Sequence, residues 1–435
     1  MGASSLRKPR LLWANAYCLL DTSSGASISV REMLLQLVGQ GYEVHIVGAT
    51  IFDHDRGAEE SRPQWAPMIN HPGSVAMLSD GPLLHHLLVT ANTRRSLMTS
   101  FEEGSWHALY LQALDTFQPD LVFYYGGQTL DLLIAGEARA RGIPSAFILA
   151  NGNYSHTRWC RDVDLILTDS QATAEYYAYR LGIRPTAVGH FIDPVRVVAE
   201  RHSRERILFI NPVLEKGVAV VIRLAILLEQ RRPDIVFEVV ESRGNWSEML
   251  MQVTTAMGQP REVLTNVVVT PNSSDMRPVY GRARLLLAPS LWWESGGLVV
   301  SEAMLNGIPA IVTDHGGMPE MVQDAGIILK LNAIYHEKPY ALVPGDESLL
   351  PLLERMILLY DDASHYAEMV ARAQRVGQTR HHVLTSTGRL LRALQPWVDL
   401  RAGDRDAGEA LRRWHKHGLD DRPQVSRSGA SESLQ

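Results

Sequence analysis

Two glutamates, Glu294 and Glu302, stand with seven residues between them in the run Ala288-Pro289-Ser290-Leu291-Trp292-Trp293-Glu294-Ser295-Gly296-Gly297-Leu298 and its continuation to Pro309. Carboxylates are strong acceptors, so such a pair suits a ligand rich in hydroxyl donors, such as a sugar. Gly296 and Gly297 leave the backbone open to close approach by a ligand. The apolar run before Pro289 reads as a strand, and a helix is predicted to start near Gly297 and to end before Gly307-Ile308-Pro309. Unpaired N–H groups at such a helix start favour an anion, for example a diphosphate. An acid there also complements the helix dipole. The plain alternative has Glu294 capping the helix and Glu302 on its solvated face.

Elements must place these residues. Leu11 to Ala14 reads as a strand, followed by a small polar loop, a helix with Val30, Met33, Leu34, Leu37 and Val38 on one face, Gly41 as its stop, and a strand from Tyr42 to Gly48. That order is a βαβ unit of a parallel sheet. Strands at Leu121–Tyr124, Ser145–Leu149, Leu165–Thr168 and Thr186–Val188 continue the rhythm. Residues 51 to 110, with four prolines and the pairs His85-His86 and Arg94-Arg95, break it and read as long loops with one or two helices. Those four residues are expected to be solvated surface. A second series starts at Ile207–Ile210 and runs through Val236–Val240, Val267–Thr270, Leu285–Ala288 and Ala310–Thr313. Residues 347 to 397 read as helices. The predicted architecture is α/β, with two Rossmann-like domains joined by a linker over His190 to Arg206. The divisions are 1–192, 193–375, a helical segment 376–400 and a polar tail 401–435 that is expected to be disordered apart from a short helix, Glu409 to His417. Ligands of open parallel sheets bind at the carboxyl ends of strands, so two facing sheets make one interdomain cleft for two substrates.

The chain has 435 residues and a formal net charge of -6, which argues against broad nucleic-acid binding. Two cysteines, Cys18 and Cys160, cannot build a disulfide framework or a Cys-only metal site, and are read as free thiols of a reducing cytosol. No apolar run approaches the about 18 residues needed to span a bilayer, and the N-terminus fits neither a signal peptide nor a myristoylation pattern. Asp162-Val163-Asp164 imitates a metal-binding Asp-x-Asp but stands before a strand rather than after one, and is read as structural. The sixteen histidines show no metal-ligand spacing.

The Glu294-to-Pro309 run, with Gly316-Gly317-Met318-Pro319-Glu320 after it, resembles the family-4 retaining glycosyltransferases of GT-B fold, whose signature is Glu-x7-Glu followed by Ala, a small-residue helix, Gly and Pro. Ser24-Gly25-Ala26-Ser27 resembles that family's glycine-rich loop, with one glycine where two are usual; read plainly, it is a helix cap by Ser23 or Ser24. Gly189-His190-Phe191-Ile192-Asp193 resembles its Asn-Gly-Val-Asp hinge, with His190 and Phe191 departing. Lys216-Gly217 fits its phosphate loop, but Asn211-Pro212 stand where Gly-Arg is usual. The resemblance implies that Glu302 holds the nucleotide ribose, that Glu294 contacts the donor sugar, and that Gly296, Gly297, Leu298 and Lys216 receive the diphosphate. Arg243 is a candidate substitute for the absent arginine, and Gly25 and Ala26 form a phosphate or acceptor loop. The family's acceptor-side His is replaced at Asn151-Gly152-Asn153, which makes Asn151 the catalytic candidate there beside Glu294 and Lys216; its plain reading is a turn residue.

The implied function is retaining transfer from a nucleotide-diphosphate sugar to a glycan, lipid-linked or other hydroxyl acceptor. No cofactor and no metal are expected. The setting is cytoplasmic bacterial polysaccharide or glycoconjugate assembly, with a peripheral membrane contact allowed and the oligomeric state left open. The alternatives are a nucleotide-sugar 2-epimerase on the same architecture and a non-catalytic nucleotide-sugar-binding homologue.

Overall fold

The computed structural model describes residues 7–68 and 70–399. The first six residues, the tail after Asp399 and the helix expected at Glu409 to His417 lie outside the described residues. Two sheets carry the fold. The first contains β1 (Arg10–Ala14), β2 (Glu43–Ala49), β3 (Val75–Asp80), β4 (Leu83–Leu88), β5 (Leu121–Tyr124), β6 (Ser145–Leu149), β7 (Leu165–Thr168) and β8 (Thr186–Ala187), in the order β3-β4-β2-β1-β5-β6-β7-β8. All its pairings are parallel except β3 with β4. The second contains β9 (Arg206–Ile210), β10 (Phe237–Val240), β11 (Val267–Thr270), β12 (Ala283–Ala288), β13 (Ala310–Thr313) and β14 (Gly326–Leu329), all parallel, in the order β11-β10-β9-β12-β13-β14. Strands β5, β6 and β7 are buried along their whole length, which explains their unbroken apolar sequence: helices cover both faces of a parallel sheet.

The helices of the first domain are α1 (Gly25–Gly39), α2 (Asp55–Trp65), α3 (Ser100–Phe117), α4 (Thr129–Ala140) and α5 (Gln171–Leu181). Their ends follow local chemistry. Thr99 and Glu102 cap α3 reciprocally; the Ser170 hydroxyl accepts the Thr173 N–H at the start of α5, and left-handed Gly182 ends that helix. Next come α6 (Pro194–Val197) in the linker, α7 (Val218–Arg231), α8 (Trp246–Ala256), α9 (Arg277–Arg282), α10 (Leu298–Leu305), α11 (Met318–Val322), α12 (Asp346–Asp361), α13 (Ala363–Val376) and α14 (Val383–Val398).

Residues 51 to 110 hold α2 and the start of α3, in line with the one or two expected helices. The long loops are corrected by the structure: a β-hairpin stands there, with β4 pairing parallel to β2 and β3 closing the sheet edge. The run Leu83-Leu84-His85-His86-Leu87-Leu88 has no period-two alternation of polarity, so it carried no strand signal. Surface solvation is also corrected for two residues there. His85 is fully buried, with Nε2 3.6 Å from Asp80 Oδ2, and Arg95 is buried with Nη1 2.8 Å from Glu103 Oε1. A buried guanidinium needs such a partner. Strand β14, at the edge of the second sheet, is a further element that the sequence reading left out.

The C-terminal helices return to the start of the chain. Helix α12 packs in the core of the second domain, where Leu349, Leu352, Leu353, Met356 and Leu359 join the residues of α7. After five residues of π-helix, Gly377–His381, helix α14 buries Leu390, Leu394 and Trp397 among Leu11, Trp13, Val30 and Leu34 of the first domain. The two domains are therefore joined twice, through the 190–205 linker and through the α13–α14 connection.

Candidate functional site

The loops after the strands of the two sheets meet, and they hold most of the predicted residues. After β12, the loop Pro289–Gly297 carries Glu294 into a buried position. Its Oε1 is ion-paired with Lys216 Nζ and accepts the Ser290 hydroxyl at 3.1 Å. Burial pushes the Glu294 carboxyl up, but the Lys216 ammonium outweighs it and holds the group below its ordinary value. Lys216 Nζ also lies 5.3 Å from the centre of the Trp292 ring. Lys216 reaches this place because β9 is followed by a tight turn, Leu214–Lys216, that left-handed Gly217 closes at φ 80°. A Cβ on Gly217 would stand 2.0 Å from Pro289 O, so the phosphate loop and the Glu294 loop touch through this glycine.

Gly297 is the N-cap of α10, with φ 73°, and Leu298 is its first residue. Gly25, the first residue of α1, packs on Leu298: a Cβ there would lie 3.7 Å from Leu298 Cδ2. The starts of α1 and α10 thus face each other, and Ala26 follows in the first turn of α1. Ser24 is the N-cap of α1 by backbone geometry but makes no side-chain cap bond, so the plain capping reading lacks its hydrogen bond. Glu302, one turn into α10, accepts a hydrogen bond from the buried Tyr280 hydroxyl. Burial pushes its carboxyl up to about 7, against the lowering effects of Tyr280 and the nearby His190.

Gly296 takes part in a cross-domain contact that the sequence did not reveal. A Cβ on it would sit 2.5 Å from His190 Cε1. His190 is buried between the domains, with Nδ1 2.8 Å from Ser301 Oγ on α10 and Nε2 3.6 Å from Asp169 Oδ2 after β7. The residue that departs from the expected hinge pattern is therefore the one that ties the hinge to the α10 start. Further cross-domain contacts surround it. Thr168 and Ser295 hydroxyls lie 3.1 Å apart, Trp293 Nε1 donates to Thr173 Oγ1 at 3.1 Å, and Trp293 stacks on Tyr176 with centroids 4.0 Å apart. Glu320 accepts the N–H groups of Gln171 and Ala172 at the start of α5 and pairs with Arg380. Most of these partners are more than 100 residues apart and leave no spacing pattern to find.

Asn151 pairs with Glu294 through an antiparallel backbone bridge, which brings the two predicted catalytic candidates together. Its side-chain Oδ1, however, accepts the Asn153 N–H at 3.0 Å, the geometry of a turn residue. Arg243 is exposed, and its backbone N–H donates to Asn211 Oδ1 at 3.1 Å. Asp164 accepts the Ser145 N–H at 2.8 Å and Asp162 pairs with Arg161 at 2.9 Å, so both acids of the Asp-x-Asp imitation have structural partners. Among the described residues no three His, Cys, Asp or Glu side chains cluster as metal ligands do, and Cys18 and Cys160 are buried and form no disulfide. No described helix is long and apolar enough to cross a membrane. A cavity of about 440 Å³ opens in the first domain among α3, α4 and the loops that follow β5 and β6. Glu103, Gln128, Thr129, Leu132, His156 and Arg158 line it.

Residues 195–337 match the family described as glycosyl transferases group 1. A D-inositol 3-phosphate glycosyltransferase from Pseudarthrobacter chlorophenolicus is 30% identical over 179 residues, which is 39% of this chain and 38% of the relative. The match thus spans well under half of that curated relative. Among solved structures, sucrose-phosphate synthase from Thermosynechococcus elongatus superposes with a TM-score of 0.65 at 13% identity, covering 89% of this chain and 99% of its own. The Anabaena protein HepE, in complex with UDP-glucose, superposes at 0.60 with 16% identity and the same coverage. Two parallel α/β domains in this arrangement are the GT-B fold, and the match to the group 1 glycosyl transferases lies within the second of them.

Proposed function

We propose that this protein is a retaining glycosyltransferase that moves a sugar from a nucleotide-diphosphate sugar to an acceptor hydroxyl. The observation that carries the reading is the buried Lys216–Glu294 ion pair beside the start of α10, one helical turn from Glu302. The relatives support it: one is a glycosyltransferase by name, and a structural neighbour binds UDP-glucose.

In this reading Glu302 accepts the ribose hydroxyls and Glu294 accepts those of the donor sugar. The start of α10 and the Lys216 ammonium receive the diphosphate, the ammonium shifting from carboxylate to phosphate as ligand enters. The acceptor hydroxyl attacks the anomeric carbon on the face that the diphosphate leaves, and the departing phosphate oxygen takes its proton. No metal and no further cofactor has a role; the chain's own cations meet the developing charge. The cavity of Gln128, Thr129, His156 and Arg158 offers donors and acceptors for a glycan, lipid-linked or other polyhydroxyl acceptor. The setting proposed is cytoplasmic assembly of bacterial polysaccharide or glycoconjugate.

The test is sugar transfer, with release of the nucleoside diphosphate, by wild-type, Lys216→Ala and Glu302→Ala proteins whose folding is checked by circular dichroism. Removing Lys216 is expected to lower kcat about 100-fold or more, the scale of losing one charge-stabilising group. Wild-type rates in both variants sink the assignment. Conversion of the donor sugar without an acceptor would instead identify an epimerase.

A further inference from the structure

A diphosphate carries at least two negative charges, and the second domain brings little net charge to it: Lys216 is matched by Glu294. The place after β9 where an arginine was expected holds Asn211 and Pro212. We propose that Arg56, on α2 of the first domain, is the missing diphosphate-binding cation, supplied across the cleft. This inference rests on the glycosyltransferase reading.

Three observations place Arg56 there. Its Nη1 donates to the carbonyl oxygen of Ser242 at 2.7 Å, so the guanidinium already lies against the loop that follows β10 in the second domain. That loop packs on the expected phosphate loop: Asn211 Oδ1 accepts the N–H groups of Arg243 and Gly244 at 3.1 and 3.2 Å. On its other side, the start of α2 is pressed on the loop that leads into α1, since a Cβ on Gly57 would stand 1.8 Å from Asp21 Oδ1. That loop ends at Gly25, whose contact with Leu298 marks the meeting of the α1 and α10 starts.

Charge bookkeeping supports the placement. Arg56 is half-buried, and its described partner is the Ser242 carbonyl. Two of the nearby acids are engaged elsewhere: Asp55 pairs with Arg94, and Asp21 accepts from Ser23 and from the Asp53 N–H. A partly buried guanidinium held by a single carbonyl retains donors for a phosphate oxygen, and its planar fork suits two of them. Because Arg56 belongs to the first domain, the diphosphate would bridge the domains and favour their closure.

The experiment is calorimetric titration of the full chain with UDP, GDP, ADP and dTDP and with the matching monophosphates, using wild type, Arg56→Ala, Arg56→Lys and Lys216→Ala. Arg56→Ala is expected to weaken the preferred diphosphate about 10-fold or more, leave the monophosphate within about 3-fold, and be partly rescued by Arg56→Lys. An equal loss for diphosphate and monophosphate, which a domain latch would give, overturns the proposal. So does full diphosphate affinity in Arg56→Ala when Lys216→Ala has lost it; that result spares the glycosyltransferase reading. A wild-type protein that binds no nucleoside diphosphate removes both.

Discussion

Glu294 and Glu302 have the same side chain and opposite electrostatics. Both are drawn out of water, yet Lys216 keeps Glu294 ionised while burial raises Glu302 to about 7. For Glu302 the folded state holds a proton that the unfolded chain releases near the ordinary carboxylate value. Its contribution to stability is therefore present at low pH and is lost as pH rises through about 7. Hydroxyl donors of a ligand prefer the carboxylate, so binding expels that proton. Nucleoside diphosphate affinity is thus expected to rise as pH increases from 6 to 8, and Glu302→Gln is expected to flatten that profile. Titration at several pH values checks it; an affinity that falls with pH in wild type, or a slope unchanged in Glu302→Gln, refutes the role. The spacing of these two acids was legible in the sequence. Their different charge states were not, because Lys216 and Tyr280 reach them only through the sheet.

At the scale of elements, two strand-to-helix turns make the site, and each depends on a backbone that has no room for a Cβ. Gly217 holds a left-handed conformation and touches Pro289 O. Gly217→Ala is expected to cost about 2 kcal/mol or more, through the strained φ and the displaced Pro289 loop. Urea denaturation measures it, and a change below about 0.5 kcal/mol would show that the two loops move apart freely. Most strands were readable because parallel-sheet strands buried on both faces appear as apolar runs. The hairpin β3–β4 was not readable, since the Asp80 that faces buried His85 is in turn paired with Arg31 of α1, distant in sequence. The one or two helices expected in the same stretch had no bounds in the sequence, so Arg56 on α2 carried no signal.

At the scale of the molecule, α14 fastens the end of the described chain to its beginning. Trp397 is almost fully buried among first-domain residues, although it is joined in sequence to second-domain helices. Trp397→Ala is expected to destabilise the first domain by about 3–5 kcal/mol, the range for removing a large core aromatic. Unfolding followed by near-ultraviolet circular dichroism checks this, and a loss below about 1 kcal/mol would mean that α14 is only loosely docked. The contacts of His190, Glu320 and Trp293 across the cleft show why the linker alone does not define how the domains meet.

The sequence by itself determined the two α/β halves, the loops at which their strands end and the Glu-x7-Glu segment, because periodicity, glycine and local charge act over a few residues. The fold decided what those residues can do. Lys216 and Glu294 lie 78 positions apart, His190 and Ser301 111, and Arg56 and Ser242 186. Such contacts form when two separate sheets are set against each other, so their energies depend on distances through space that no local pattern encodes. Whether a carboxylate is charged, and which domain offers a phosphate its cations, is settled at that level.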